Sequence, residues 1–293
     1  MWQLLRIELL KIFRKPRTYI SFGAIAAMVV IIQIALKFDG ESYIEFMVGN
    51  LKDSLDIPYS HILNGYFICF IILNLLLIHI PLLVALVAGD SVAGEANMGT
   101  LRLIASKPVS RTGLMLAKFA ATVIYTGLLL IWLAFISLLL SILIFGTNDI
   151  LIARNDSLEI IRSSDVMWRY LSAFAFATLA LTTVAALAFL LSVFSDNSIG
   201  PIVSTISIVI VFTILSEMQI PLYDRTVKPF LFTSHMLAWK GFFYSKIDGS
   251  GSSIPGTIEN IRAIAKSGLI LILYIIGFVS AAIFVFNKKD ILS

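Results

Sequence analysis

Apolar residues in this chain run in long unbroken blocks, and the polar residues are gathered between them. Six blocks, at residues 19–36, 62–87, 119–145, 170–194, 199–220 and 267–286, reach the roughly 20 residues a helix needs to cross about 30 Å of hydrocarbon. Within a bilayer every backbone N–H and C=O must be satisfied inside its own segment, which makes these blocks helices. The alternation expected of a membrane barrel is absent. Pro16 stops a preceding segment, residues 1–17, before the first block. Wound at 100° per residue, that segment gathers Trp2, Leu5, Leu9, Ile12 and Phe13 on one face. Arg6, Lys11, Arg14 and Lys15 are expected on the other, toward anionic headgroups. Leu4, Ile7 and Leu10 fall outside this division and are free to pack on a neighbouring span. Residues 1–17 are no signal peptide, because the charged lead and the following apolar run are both too long.

Composition agrees with the pattern. Hydrophobic residues make up 59% of the chain and charged residues 14%, with a mean hydropathy of +0.95. Soluble domains sit nearer 45–50% apolar and about 25% charged. The single cysteine, Cys69, lies in an apolar block and is read as a small packed thiol. With the N-terminus inside, the short inner segments carry eleven of the 22 Lys and Arg but only five of the 18 acids. The positive-inside rule then places both termini in the cytoplasm of a cell inner membrane.

Candidate chemistry inside the spans is sparse. Proton- or sodium-coupled carriers place acids or histidines at membrane depth despite a cost of roughly 2.5–3.5 kcal/mol each. Here Asp90 and Glu217 lie at span ends, and Asn74 and His79 are the uncharged candidates for a pathway. Matched glycine-broken half-helices of an inverted repeat are not seen. Gly89 and Gly94 have the spacing that opens a P-loop, but Glu95 and Ala96 stand where Lys and Ser or Thr are required. His61, His79 and His235 are scattered, so no zinc site is expected, and Asn155-Asp156-Ser157 is a sequon match of a kind common by chance. No catalytic residue, cofactor or metal is expected. The energy for work should come from elsewhere.

The densest polar stretch lies at 89–118. Gly94 and Gly99 permit close approach or a helix break, Pro108 ends any helix begun at Thr100, and Ser110 can cap the next one. A short surface helix is expected at about 101–106, bearing Arg102. Glu95 is the exceptional residue, because a carboxylate at an anionic surface wants a basic group. A partner subunit or an internal arginine could supply it. Residues 221–266 form a long outer loop, whose aromatic part at 230–244 is too short to span and suits an interface. The tight inner turn Ser195-Asp196-Asn197-Ser198 makes the fourth and fifth spans antiparallel neighbours.

The run Glu95, Gly99-Thr100-Leu101, Pro108-Val109-Ser110-Arg111 and Lys118 resembles the cytoplasmic loop of ABC transporter permeases of the type-2 class, the membrane subunits of type V exporters. The ending Phe286-Asn287-Lys288-Lys289-Asp290-Ile291 resembles their C-terminus, and the six-span layout extends the likeness over the chain in outline. The resemblance implies an all-α integral membrane protein with an N-terminal amphipathic interfacial helix, a cytoplasmic coupling helix and a re-entrant segment before the last span, the whole of 1–293 forming one permease domain. It implies a separate P-loop ATPase subunit, a second permease subunit and membrane lipids as partners, and no nucleic acid. Glu95, Gly99, Thr100, Arg102, Pro108 and Arg111 would couple to the ATPase; Asn74, His79, Phe230 and Trp239 would line or gate the pathway. Largely apolar walls favour a lipid-like, amphiphilic or peptide cargo. A membrane scaffold subunit and an ion-coupled carrier are the competing expectations.

Overall fold

The computed structural model describes residues 1–48, 62–100, 110–154, 157–218, 221, 226–248 and 253–289. Six of its helices are long and apolar enough to cross a membrane. Helix α1 (Trp2–Arg14) precedes them and ends at Lys15, which is extended at ψ 130°. The residue before a proline disfavours helical geometry, and Pro16 opens α2 (Pro16–Val48), so the expected break falls where the sequence puts it. Helix α2 kinks at Asp39 (φ −133°). The second span, α3 (Gly65–Ala88), is capped by Asn64, whose side chain accepts from Tyr66 N and Phe67 N at 3.1 Å each.

A short helix α4 (Ala93–Asn97) follows. The third span, α5 (Arg111–Phe145), is capped by Ser110 as expected, its hydroxyl accepting from Gly113 N. A π turn at Phe135–Leu140 widens α5, and there buried Gln33 on α2 donates to Ser141 Oγ at 2.9 Å. Gly65 is required where α3 meets the end of α5, because a Cβ there would lie 2.6 Å from the Ile142 backbone. Strands β1 (Ile150–Arg154) and β2 (Ser157–Ile161) pair antiparallel. The remaining spans are α6 (Ser163–Val193), α7 (Ile199–Glu217) and α9 (Ile261–Lys288). Between the last two lies α8 (Phe232–Met236), flanked by 3-10 turns at Lys228–Phe230 and Leu237–Phe243.

Helix α6 is the axis of the bundle. It packs against α3, α5, α7 and α9, and its most apolar stretch is 72% buried against 22% for α7 and for α9. A buried Tyr170 reaches from α6 to α3, its hydroxyl donating to Tyr66 O. Contacts place α1, the 89–97 segment, the start of α5, the α6–α7 turn and the end of α9 at one end of the bundle. The α6–α7 turn is tight, with Ser195 Oγ donating to Asn197 O, and the two helices pack together.

Several expectations need correction. The fourth span starts at Ser163, seven residues earlier than the apolar block suggests, and the last begins at Ile261 rather than 267. The hairpin β1–β2 was not foreseen. On α1, Lys11 and Lys15 turn inward rather than toward headgroups, for reasons given next. The helix expected at 101–106, with Arg102 and Pro108, and the sequon residues Asn155 and Asp156 lie outside the described residues.

Candidate functional site

Helix α1 meets the bundle through charge. The arc it turns inward holds Leu5, Glu8, Lys11, Ile12 and Lys15, with Glu8 buried, while Trp2, Ile7 and Leu10 are exposed. An arc of acid and base at helical spacing docks only onto opposite charges, because an unpaired buried ion is expensive. The opposite charges come from two other elements. Lys118 of α5, fully buried, lies 3.0 Å from Glu8 and 2.7 Å from Glu95. Lys11 completes the ring, 2.7 Å from each of the same two acids.

A second knot lies beside it. The Asp90 carboxylate sits 2.6 Å from Lys15 Nζ and from Arg17 Nη2, and accepts from Ser198 Oγ at 2.5 Å. Gly94 makes room for it, since a Cβ there would lie 2.6 Å from Asp90 Cγ. The two knots share one small cavity, lined also by Ser91 and Thr18. Ser192 of α6 accepts from Val92 N and Ala93 N at 3.1 and 2.8 Å, satisfying donors at the start of α4. Beneath α4 an apolar seat of Val92, Met115, Phe189 and Phe286 excludes water.

Burial, the largest influence on Glu95, opposes its ionisation. The charge of Lys118 and the hydrogen bonds from Lys11 and Lys118 outweigh it, and the carboxyl is held below its ordinary value. Burial likewise works against the Lys11 cation, and Glu8 and Glu95 overcome it, so Lys11 is raised above its ordinary value. Both displacements favour the charged forms of Glu95 and Lys11. The cluster holds three acids and four bases from α1, α2, the 89–97 segment and α5.

The sequence-derived residues divide around this cluster. Glu95 is in it, and its bases are Lys11 and Lys118 of its own chain rather than an arginine. Thr100 donates to Glu95 O, and Gly99 takes φ +69°, the left-handed turn that releases the chain after α4. Arg111 sits apart, donating to Asn287 O and Lys289 O at 3.2 and 2.9 Å; Lys289 in turn pairs with Asp196 at 2.9 Å. Glu8, Lys11, Lys15, Arg17 and Asp90 carry the network without having been assigned to a site. The signal available was the acid Glu8 amid the basic positions of α1.

The pathway candidates do not converge. Asn74 donates to Phe70 O, and His79 Nδ1 lies 2.7 Å from Leu75 O, each within α3. His79 is exposed on the outside of the bundle at mid-span, and Ser204 and Ser207 are exposed in the first half of the adjacent α7. Trp239 is buried against Phe70 and Phe243, whereas Phe230 is 74% exposed. At the far end of the bundle Arg169 gathers a third polar knot. It pairs with Asp165 at 2.7 Å and donates to Phe242 O, Ser245 Oγ and Thr257 O.

A search of curated proteins finds no match. The sequence model of the family described as "Protein of unknown function (DUF2705)" matches residues 25–292, nearly the whole chain, and the protein belongs to that family.

Proposed function

We propose that this protein is the membrane-spanning permease subunit of an ATP-driven ABC exporter, pairing with a second permease subunit and a separate P-loop ATPase. The observation that supports the reading is the anchoring of the 89–100 segment. Buried ion pairs fix it to α1 and α5, and hydrogen bonds fix it to α6 and, through Asp90, to the start of α7. A displacement of that segment by a soluble partner is thereby passed to four helices at once, as a rigid interior transmits strain. Glu95, Gly99 and Thr100 then hold the segment in shape, Arg111 ties the start of α5 to the end of α9, and the stretch bearing Arg102 and Pro108 makes the contact. ATP binding would draw two such segments together and hydrolysis would release them, rocking the bundle between two states.

In this reading α1 lies in the cytoplasmic interface of the cell membrane, with Trp2 and Phe13 toward lipid and both termini inside. Residues 228–243 form the re-entrant segment. The exposed His79, Ser204 and Ser207 face the pathway between the two subunits, where a polar group is spared contact with hydrocarbon.

The test places a photo-crosslinking residue at Met98, which is 59% exposed and one step beyond α4. Irradiation of native membranes should capture a soluble chain bearing GxxxxGK[ST], in ratio to the permease. Capture of no such chain, in membranes where a known transporter's ATPase is captured through its own loop, overturns the proposal. A charge reversal at Glu95 is a poor probe, because it would bury like charge beside Lys11 and Lys118.

A further inference from the structure

A hollow of about 560 Å³ opens at the kink of α2, at the end of the bundle away from α1. That volume falls in the range of small-molecule sites. Residues 36–42 of α2 form one wall, Ile144 and Phe145 at the end of α5 form another, and Leu63, just ahead of α3, joins the lining. Asp39 leaves helical geometry at φ −133° and ψ 26°, which bends α2. Buried Gly40 beside it lets Leu63 approach, since a Cβ there would lie 2.5 Å from Leu63 Cδ2.

The polar side chains of the lining are Lys37, Asp39, Glu41 and Ser42. A lysine and a glutamate four residues apart pair on an unbroken helix. Here the kink falls between them, and among the described residues Lys37, Asp39 and Glu41 have no ion pair or side-chain hydrogen bond. Lys37 instead holds its Nζ 5.3 Å from the centre of the Phe145 ring on the other wall. The depth is that of lipid headgroups. The apolar block of α2 ends at Leu36, and by a rise of 1.5 Å per residue Lys37 stands about 31 Å along the helix from Pro16. That is about one hydrocarbon thickness from the charged cluster around Arg17. Phe38, 87% exposed, and the exposed Ile144 carry the apolar surface of the bundle up to the rim. A headgroup therefore reaches the hollow from the side.

One basic and two acidic side chains, free of ion pairs and close together in the chain, define the guest. A guest with only an anion meets two carboxylates, and one with only a cation leaves Lys37 unmet. A guest with a cation and an anion side by side meets all three. We propose that the hollow binds the headgroup of a phosphoethanolamine lipid, the ammonium donating to Asp39 and Glu41 and the phosphate accepting from Lys37. The glycerol and chains then lie along Phe38 and Ile144. A choline headgroup has the same charges but no N–H to donate, so the carboxylates single out the primary ammonium. The binding requires neither nucleotide nor partner subunit, so it stands or falls apart from the exporter reading.

The experiment equilibrates the purified full-length chain in detergent with phosphatidylethanolamine and phosphatidylcholine of identical acyl chains, and counts the retained lipid by native mass spectrometry. The ethanolamine lipid should be retained about tenfold over the choline lipid, the worth of one hydrogen bond to a charged group. Asp39→Asn with Glu41→Gln should erase that preference, whereas Lys37→Met should weaken both lipids alike. All three side chains are exposed, so these variants keep the fold. Equal retention of the two lipids overturns the proposal, as does a preference that survives Asp39→Asn with Glu41→Gln. A Lys37→Met chain that holds both lipids like the wild type overturns it as well. Soluble phosphoethanolamine should not displace the lipid; displacement would make the guest a free solute and overturn the lipid assignment.

Discussion

Lys118 is a cation with no exposed side-chain surface, held between two carboxylates that are themselves nearly buried. Removing one member of such a set leaves the others uncompensated, at a cost of about 3–5 kcal/mol. Lys118→Met should lower the melting temperature sharply in detergent. The double change Lys118→Met with Glu95→Gln should recover part of the loss, because neutral partners need less compensation. A Lys118→Met protein that melts like the wild type would show the ion pairs to be incidental. The pH response follows from the two displaced groups. Glu95 is held below its ordinary 4.5, so its contribution is complete above that value and fades as pH falls through the lower folded value. Lys11 is raised above 10.5, so its contribution is complete below that and fades as pH climbs through the higher folded value. Docking of α1 should therefore be flat from about pH 5 to 10, read as the distance between spin labels on Trp2→Cys and Met98→Cys. A transition near pH 7 would contradict this assignment. Helical spacing could pair Glu8 with Lys11 but not with Lys118, which is 110 residues away, since charge spacing speaks only for neighbours on one helix.

Among the elements, the segment between α7 and α9 is held to α6 by the hydrogen bonds of Arg169 and Asp165. Arg169 donates to two backbone carbonyls and a hydroxyl of that segment, Asp165 accepts from Gly256 N, and Glu159 of β2 accepts from Ser245 N. Arg169→Met should free the segment while the spans stay folded. Hydrogen exchange at Leu237–Phe243 should rise by an order of magnitude or more, as the loss of several bonds to a charged group implies. Ser245→Ala, which removes one bond, should raise it only slightly. Unchanged exchange in Arg169→Met would show that the aromatic packing of Trp239 and Phe243 suffices alone. The same residues explain what the sequence hid. Helix α6 begins seven residues before its apolar block because Asp165 and Arg169 satisfy each other and are roofed by the loop. A hydropathy boundary cannot see that compensation. The hairpin β1–β2 is two five-residue antiparallel strands; its β-branched and Leu-rich content was a legible signal that the flanking spans overshadowed. The six spans themselves were legible because the bilayer imposes length and apolarity on each one independently.

At the scale of the whole molecule, the charge distribution argues for one orientation more strongly than a tally of residues does. Three of the acids at the end bearing the termini, Glu8, Asp90 and Glu95, are buried among their own lysines and Arg17. A fourth, Asp196, is paired with Lys289. The surface left to meet headgroups there is therefore more basic than its composition, with Arg6 and Arg14 on the exposed side of α1. Anionic cytoplasmic lipid attracts such a surface by about 1 kcal/mol per basic residue. We expect single cysteines at Trp2 and Lys288, in a Cys69→Ser background, to react with a membrane-impermeant maleimide only in inside-out vesicles. A cysteine at Ser164, exposed at the start of α6, should react only in right-side-out cells. Cys69 itself is buried and should give no background. Labelling of positions 2 and 288 from opposite faces would mean that one of the six helices does not cross. The exporter reading would then fall with it, because the 89–100 segment and the C-terminus would no longer share a face with the ATPase.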